Sequence, residues 1–158
     1  ELIIFLILLV ISFIILLLTK YGRKIFLIGV NRNTAEYSGI KTARLVMSTY
    51  VLSGIAASIA GILLTSYLGT AKPDFGADLT LPIITAVVLG GTSIYGGKGN
   101  VIGTGLAALI IGFMKFGLTL IGINAQYQDI PVGILLIVSL IINFMINSNV
   151  FQNLKRKK

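Results

Sequence analysis

Histidine, cysteine and tryptophan are missing from the 158 residues, and only 11% of the residues are charged. Without cysteine there is no disulfide framework and no thiolate, and without histidine the commonest general base and metal ligand is absent. An ordinary soluble domain has roughly 25% charged residues. The shortage of charge excludes a water-soluble globular protein, and 56% hydrophobic residues exclude a disordered chain. We therefore expect a membrane protein that is not an enzyme and holds no metal.

Long apolar runs fill most of the chain. A membrane-spanning helix needs about 20 apolar residues, and five runs approach that length, at 2–18, 45–67, 79–95, 101–121 and 130–147. Strands of a transmembrane barrel would instead alternate over about ten residues. The runs predict an all-α polytopic membrane helix bundle, one domain over residues 1–158, with about five transmembrane helices.

The basic residues divide unevenly between the loops. Five lie in the loop 19–43 and Arg44 directly follows it, one is Lys98 and four lie in the tail 155–158, whereas the opposite loops hold mostly acids. Lys and Arg favour the cytoplasmic side in short loops. We therefore expect this loop and the C-terminus in the cytoplasm and the N-terminus on the outer side of the membrane. The net charge of +8 is then explained by membrane topology, and we expect no nucleic-acid partner. The missing initiator Met and the apolar start indicate the C-terminal part of a longer membrane protein.

Polar residues inside the runs are candidates for lining a translocation path. The run 79–95 is broken by Pro82, hydroxyl residues and two glycines, which predicts either a helix beside a path or a tightly packed core helix. Lys115 is the one charge inside a run, and either snorkels, pairs between helices or lines the path. No acid lies inside a run, so we expect no proton relay and no buried ion pair within this chain. The possible path-lining residues are Ser53, Thr85, Thr92, Ser93 and Lys115.

The loop 19–43 contains signals for a short helix. Asn31 or Asn33 can cap a helix over residues 34–37, and Gly39 can end that helix in the left-handed conformation. We expect one short helix parallel to the membrane. It is either a surface linker beside anionic lipid or a docking element for a cytoplasmic partner. The turn 96–100 lacks the spacing of a Walker A phosphate loop and is interpreted as a tight turn.

Two segments resemble one known family. Residues 21–40, with the pattern Gly-Arg…Ile-Gly-x-Asn…Ala-x-x-Ser-Gly-Ile, resemble the coupling loop of bacterial ABC importer permeases of the branched-chain amino acid and ribose type. Residues 88–93 and 96–99 resemble that family's glycine-rich segment. The likeness covers nearly the whole chain, corresponds to the C-terminal half of a permease and is greater to the sugar permeases. The glycines concerned are Gly90, Gly91, Gly96, Gly97 and Gly99.

The resemblance implies that ATP binding, solute delivery and solute passage are carried out by different subunits. A separate cytoplasmic ATPase would bind the ATP, so this chain needs no cofactor, and a solute-binding protein would deliver the solute at the outer face. A second permease subunit would complete the path across the bacterial inner membrane. The implied solute is a monosaccharide such as ribose, a related sugar or an autoinducer. The alternatives are a branched-chain amino acid or a nucleoside, or a secondary transporter or channel half. The residues expected to meet the ATPase are Asn31, Arg32, Ala35, Glu36, Ser38, Gly39 and Ile40.

Overall fold

The computed structural model describes residues 2–71, 73–94 and 96–147, and these residues contain helices but no strand. The all-α fold class is therefore confirmed. Glu1, Lys72 and the basic tail, on which part of the predicted orientation depends, lie outside the described residues. The helices are α1 (Leu2–Phe13, extended by the π-helix Ile14–Leu18), α2 (Lys20–Val30), α3 (Arg32–Tyr37), α4 (Thr42–Leu68), the 3-10 helix Pro73–Leu79, α5 (Thr80–Leu89), α6 (Val101–Leu120) and α7 (Ala125–Asn147).

The chain forms two compact units. The first contains the residues up to Asp78 together with the turn 96–98, and the second contains Leu79–Ile94 and the chain from Gly99 onward. In the first unit α2 bends by 70° from Leu2–Leu18. The bend lies at Thr19, which has an extended backbone and accepts a hydrogen bond from the Gly22 amide at 3.3 Å. Thr19 is therefore the N-cap of α2.

The loop 19–43 holds two helices, so the prediction of one short helix is wrong. The additional helix, α2, is amphipathic: Tyr21, Ile25 and Ile28 are partly buried, and Lys20, Arg23 and Lys24 are exposed. Apolar residues three and four apart form one helix face, but in the sequence they are interleaved with bases and two glycines. Helix α2 packs against α3 and α4, and the Tyr21 and Ser48 hydroxyls lie 2.6 Å apart.

In the second unit, α5 packs against α6 and α7. The buried core consists of small and branched side chains: Ala86 on α5, Ala107 and Ile111 on α6, and Val132 on α7. Small residues let membrane helices approach closely. Helix α4 differs, because none of its most apolar window is buried in the structure.

The number of spanning helices is smaller than predicted. Three helices are long and apolar enough to cross a membrane, namely Thr42–Leu68, Val101–Leu120 and Gln126–Met145, and the bent pair α1 and α2 makes up to four among the described residues. Helix α5 has only 10 residues, which is about 15 Å, half the thickness of a bilayer core. It ends at Leu89 because Gly90 and Gly91 follow, so the run 79–95 is not one continuous span.

Candidate coupling site

Helix α3 has a defined cap at each end. The Asn31 side-chain oxygen accepts a hydrogen bond from the Thr34 amide at 3.1 Å, so Asn31, not Asn33, is the N-cap. At the other end, the Gly39 amide donates to the Glu36 carbonyl at 2.9 Å and the Ile40 amide to the Ala35 carbonyl at 3.1 Å. This is a Schellman motif. Gly39 has a φ of 78°, which confirms the predicted left-handed end, while the helix begins two residues earlier than predicted.

Polar contacts attach α3 to the start of α4. The Glu36 carboxylate accepts hydrogen bonds from the Thr42 hydroxyl and, at 3.3 Å, from the Arg32 Nε. Thr42 and Ala35 are both buried. The hydrogen bond from Thr42, followed by that from Arg32, lowers the pKa of Glu36 below its ordinary value. Glu36 is therefore ionised at neutral pH and holds α3 against α4.

The seven residues predicted to meet an ATPase divide into two groups. Ala35 is buried and Ile40 is partly buried, whereas the other five are exposed. Within the exposed group, Asn31 and Gly39 cap the helix, so the structure gives them a local structural role. The accessible side chains are those of Arg32, Glu36 and Ser38.

Tyr37 is the functional candidate that the sequence analysis missed. Its side chain is at the end of α3, and the residue is 93% exposed. No pattern in the sequence singles it out. Tyrosine is enriched among the residues that dominate protein interfaces. A fully exposed tyrosine on a doubly capped helix is a ready contact for a partner.

The turn at Gly96 and Gly97 lies against the end of α2, within the first unit. A Cβ atom built on Gly29 would lie 2.5 Å from the Gly97 amide nitrogen, and one on Gly96 would lie 2.6 Å from the Gly29 carbonyl oxygen. Only glycine permits this approach of two backbones. The contact brings part of the glycine-rich segment to the loop that carries α3. It also places the turn on the same side as α2, as the predicted orientation requires.

The remaining predicted glycines belong to the second unit. A Cβ on Gly90 would overlap the backbone of Gly103 and Thr104 on α6. The Gly91 amide donates a hydrogen bond to the Val88 carbonyl in the last turn of α5. The Thr92 hydroxyl lies 3.3 Å from the Thr104 hydroxyl. These residues join α5 to α6, and Gly99 is partly buried just before α6.

The possible path-lining residues are divided between the two units. Thr85 is fully buried and donates to the Leu81 carbonyl at 2.8 Å, so it belongs to the packed interior of the second unit. The Ser93 hydroxyl is buried without a hydrogen-bond partner among the described residues. Ser53 lines a cavity of about 360 Å³ between α1 and α4, in the first unit.

Lys115 forms an ion pair with Asp129. Its Nζ lies 2.9 Å from Asp129 Oδ1, with side chains 27% and 41% exposed. Helix α7 begins at Ala125, which brings the carboxylate onto a helix beside α6. Of the alternatives for Lys115, pairing between helices is the one that the structure shows, and because both side chains are partly exposed it is not a buried ion pair.

A second polar contact lies beside that pair. Gln128 is 7% exposed, and its amide nitrogen donates to the Thr119 hydroxyl and to the Ile123 carbonyl, both at 3.0 Å. These bonds fix the start of α7 against the end of α6. This part of the second unit is a structural network.

Comparisons with known proteins agree on one family. The family described as "Branched-chain amino acid transport system / permease component" matches residues 2–140. The protein named "Autoinducer 2 import system permease protein LsrD" from Photorhabdus temperata is 50% identical over 123 residues, which is 78% of this chain and 37% of that relative. Proteins of the same name from Photorhabdus laumondii and Escherichia coli are each 45% identical, covering 89% and 87% of this chain and 42% of each relative.

No solved structure matches the chain. The chain spans about two fifths of the length of the curated relatives described above.

Proposed function

Because the chain belongs to the permease family of branched-chain amino acid transport systems, we propose that it is part of the membrane subunit of an ATP-binding cassette importer. The observation that carries this proposal is α3, a short exposed helix with a cap at each end, joined to α4 by Glu36 and Thr42. In this proposal α3 lies in the cytoplasm and a separate ATPase docks on it. ATP binding and hydrolysis belong to that ATPase.

The contacts of α3 provide a route for movement. A force applied to α3 reaches α4 through the hydrogen bond between Glu36 and Thr42. It reaches the turn 96–97 through α2, which packs against α3 and meets that turn at Gly29. An ATPase can drive transport only if it binds the inward and outward states of the permease differently. A helix that is attached both to α4 and to α2 transmits a displacement caused by ATPase binding better than a flexible loop does.

The proposed solute is autoinducer 2 or a related sugar-like molecule. Support comes from relatives 45–50% identical over most of this chain that are named as autoinducer 2 import permeases. In this proposal a solute-binding protein delivers the solute to the outer face of the bacterial inner membrane, and a second permease subunit completes the path. A competition assay separates the solutes: unlabelled autoinducer 2 should reduce uptake of the labelled compound, whereas leucine should not. Equal competition by leucine would favour an amino acid permease.

Co-purification tests whether α3 docks the ATPase. Tyr37→Ala removes a side chain from a residue that is 93% exposed at the end of α3. Loss of an interface tyrosine of this kind should reduce the recovered ATPase at least about tenfold. Tyr67→Ala is the matched control, because Tyr67 is also largely exposed (72%) but lies at the far end of α4. Equal recovery with both variants would contradict docking on α3, provided that both insert into the membrane normally.

A further inference from the structure

A cavity of about 460 Å³ lies between α2 and the beginning of α4, in the first unit. Three basic residues line it: Lys24 from α2, and Lys41 and Arg44 from the beginning of α4. The turn after α3, with Ser38 and Gly39, forms another wall. We call this the headgroup cavity. Tyr37 does not line this cavity.

The headgroup cavity concentrates positive charge. Neither the ion pair of Arg32 with Glu36 nor that of Lys115 with Asp129 involves one of its three cations. No acidic residue lines it. Three like charges around one concave space repel one another unless an anion lies between them. The beginning of the 27-residue helix α4 adds the positive end of a helix dipole.

Arg44 also lines a second cavity, which is apolar. It has a volume of about 640 Å³ and is lined by Arg44 together with Ile15, Met47, Val51 and Leu52. We call it the acyl groove. It follows α4 from its first turn into the apolar part of the helix. A charged pocket that shares Arg44 with an apolar groove has the chemistry that suits a phospholipid, whose phosphate and acyl chain need these two environments.

The position of both cavities relative to the membrane fits the same ligand. Arg44 and Leu45 lie in the first turn of α4, a helix that is long enough to span a bilayer. Helix α2 carries bases on one face and apolar residues on the other. An amphipathic helix with this pattern lies at the level of the lipid headgroups. The headgroup cavity is therefore at the height of the phosphates, and the acyl groove is at the height of the chains.

We propose that these two cavities form a binding site for one anionic phospholipid. The phosphate is held by Lys24, Lys41 and Arg44, and an acyl chain lies in the groove beside Met47 and Val51. The lipid joins α2 to α4 next to the attachment of α3. This inference requires the proposed membrane placement but not ATPase docking, so the two can fail separately.

Native mass spectrometry of the purified protein tests the site, with phosphatidylglycerol and phosphatidylcholine as the two probes. Phosphatidylglycerol should be retained in preference. Because a base near a membrane surface contributes about 1 kcal/mol to binding an anionic lipid, Lys24→Gln, Lys41→Gln and Arg44→Gln should each weaken retention about fivefold. The matched controls are Lys20→Gln and Arg23→Gln, which remove bases of α2 that do not line the cavity. Equal loss in these controls would overturn the site, because it would indicate general surface attraction.

Two further experiments test the acyl groove and distinguish a bound lipid from a bound ATPase segment. Val51→Trp fills the acyl groove without changing a charge and should also weaken phosphatidylglycerol retention; unchanged retention would overturn the bipartite site. An acidic segment of the ATPase is the competing occupant of the headgroup cavity. If the Lys24, Lys41 and Arg44 substitutions release the ATPase but leave phosphatidylglycerol bound, the occupant is protein and the lipid proposal is wrong. Circular dichroism and size-exclusion profiles identify variants that do not fold.

Discussion

Different interactions stabilise the interior of each of the two compact units. The second unit packs α5 against α6 and α7 around Val132, which is completely buried. The first unit leaves most of α4 exposed and is fixed at its loop by capping bonds, by the contact of Glu36 with Thr42 and by the approach of Gly29 to Gly97. The second unit resists deformation because its helices pack closely. The first unit has separate polar attachments, which suit the docking role that we propose for α3.

Substitution of a glycine in the packed unit should have the largest effect. In Gly90→Ala the added Cβ overlaps the backbone of Gly103 and Thr104, and backbone cannot rotate away as a side chain can. We expect the free energy of unfolding to fall by about 1–3 kcal/mol, the range for overpacked cores. Unfolding in detergent by titration with a denaturing surfactant measures it.

Gly112→Ala provides the control for that substitution. Gly112 lies within α6, and nothing is within 4 Å of a Cβ built on it. Alanine is favoured over glycine in a helix by up to about 1 kcal/mol, so this variant should be as stable as the parent or more stable. If Gly90→Ala were equally well tolerated, the packed contact between α5 and α6 would not exist as described.

The ion pair of Lys115 and Asp129 should have an intermediate effect. Asp129→Asn leaves the Lys115 ammonium without its carboxylate, but both side chains are partly exposed, so screening limits the loss. A double-mutant cycle with Lys115→Met should give a coupling energy of about 1 kcal/mol or less. Zero coupling, combined with lost solute uptake in Lys115→Met alone, would instead identify Lys115 as a path residue.

The titration of Glu36 should give the smallest effect and tests the first unit. Its pKa is lowered because Thr42 and then Arg32 donate to the carboxylate. A lowered pKa stabilises the attachment of α3 above the ordinary glutamate range, and the stabilisation is lost as the pH falls through the lowered value. Carboxyl carbon NMR should show that Thr42→Val raises the pKa of Glu36 toward 4.5, whereas Ser38→Ala does not. No change in Thr42→Val would mean that the hydrogen bond is absent in solution.

Local features of the sequence predicted local structure well. The end of α3 at Gly39 depends on residues within about one helical turn, so the pattern alone indicates it, and the pattern also limits the N-cap to Asn31 or Asn33. The apolar runs likewise indicated a membrane helix bundle. In the loop, α2 was missed because two glycines and three bases interrupt its apolar face.

Contacts between distant residues could not be predicted in this way. Lys115 and Asp129 lie 14 residues apart, and their pairing depends on where α7 begins. The approach of Gly29 to Gly97 depends on how the chain returns to α2. Neither is encoded in a spacing that a single sequence displays, because tertiary packing decides which helix faces meet. The short length of α5 also depends on Gly90 ending the helix against α6.

In the proposed function α3 faces the cytoplasm, and cysteine labelling determines on which side of the membrane it lies. The chain contains no cysteine, so Asn33→Cys introduces the only thiol of this chain, at an exposed position of α3. A membrane-impermeant maleimide is applied to intact cells and to inside-out membrane vesicles. The account predicts labelling in the vesicles and none in intact cells. Labelling of Asn33→Cys in intact cells would contradict it, because an ATPase inside the cell could not reach α3.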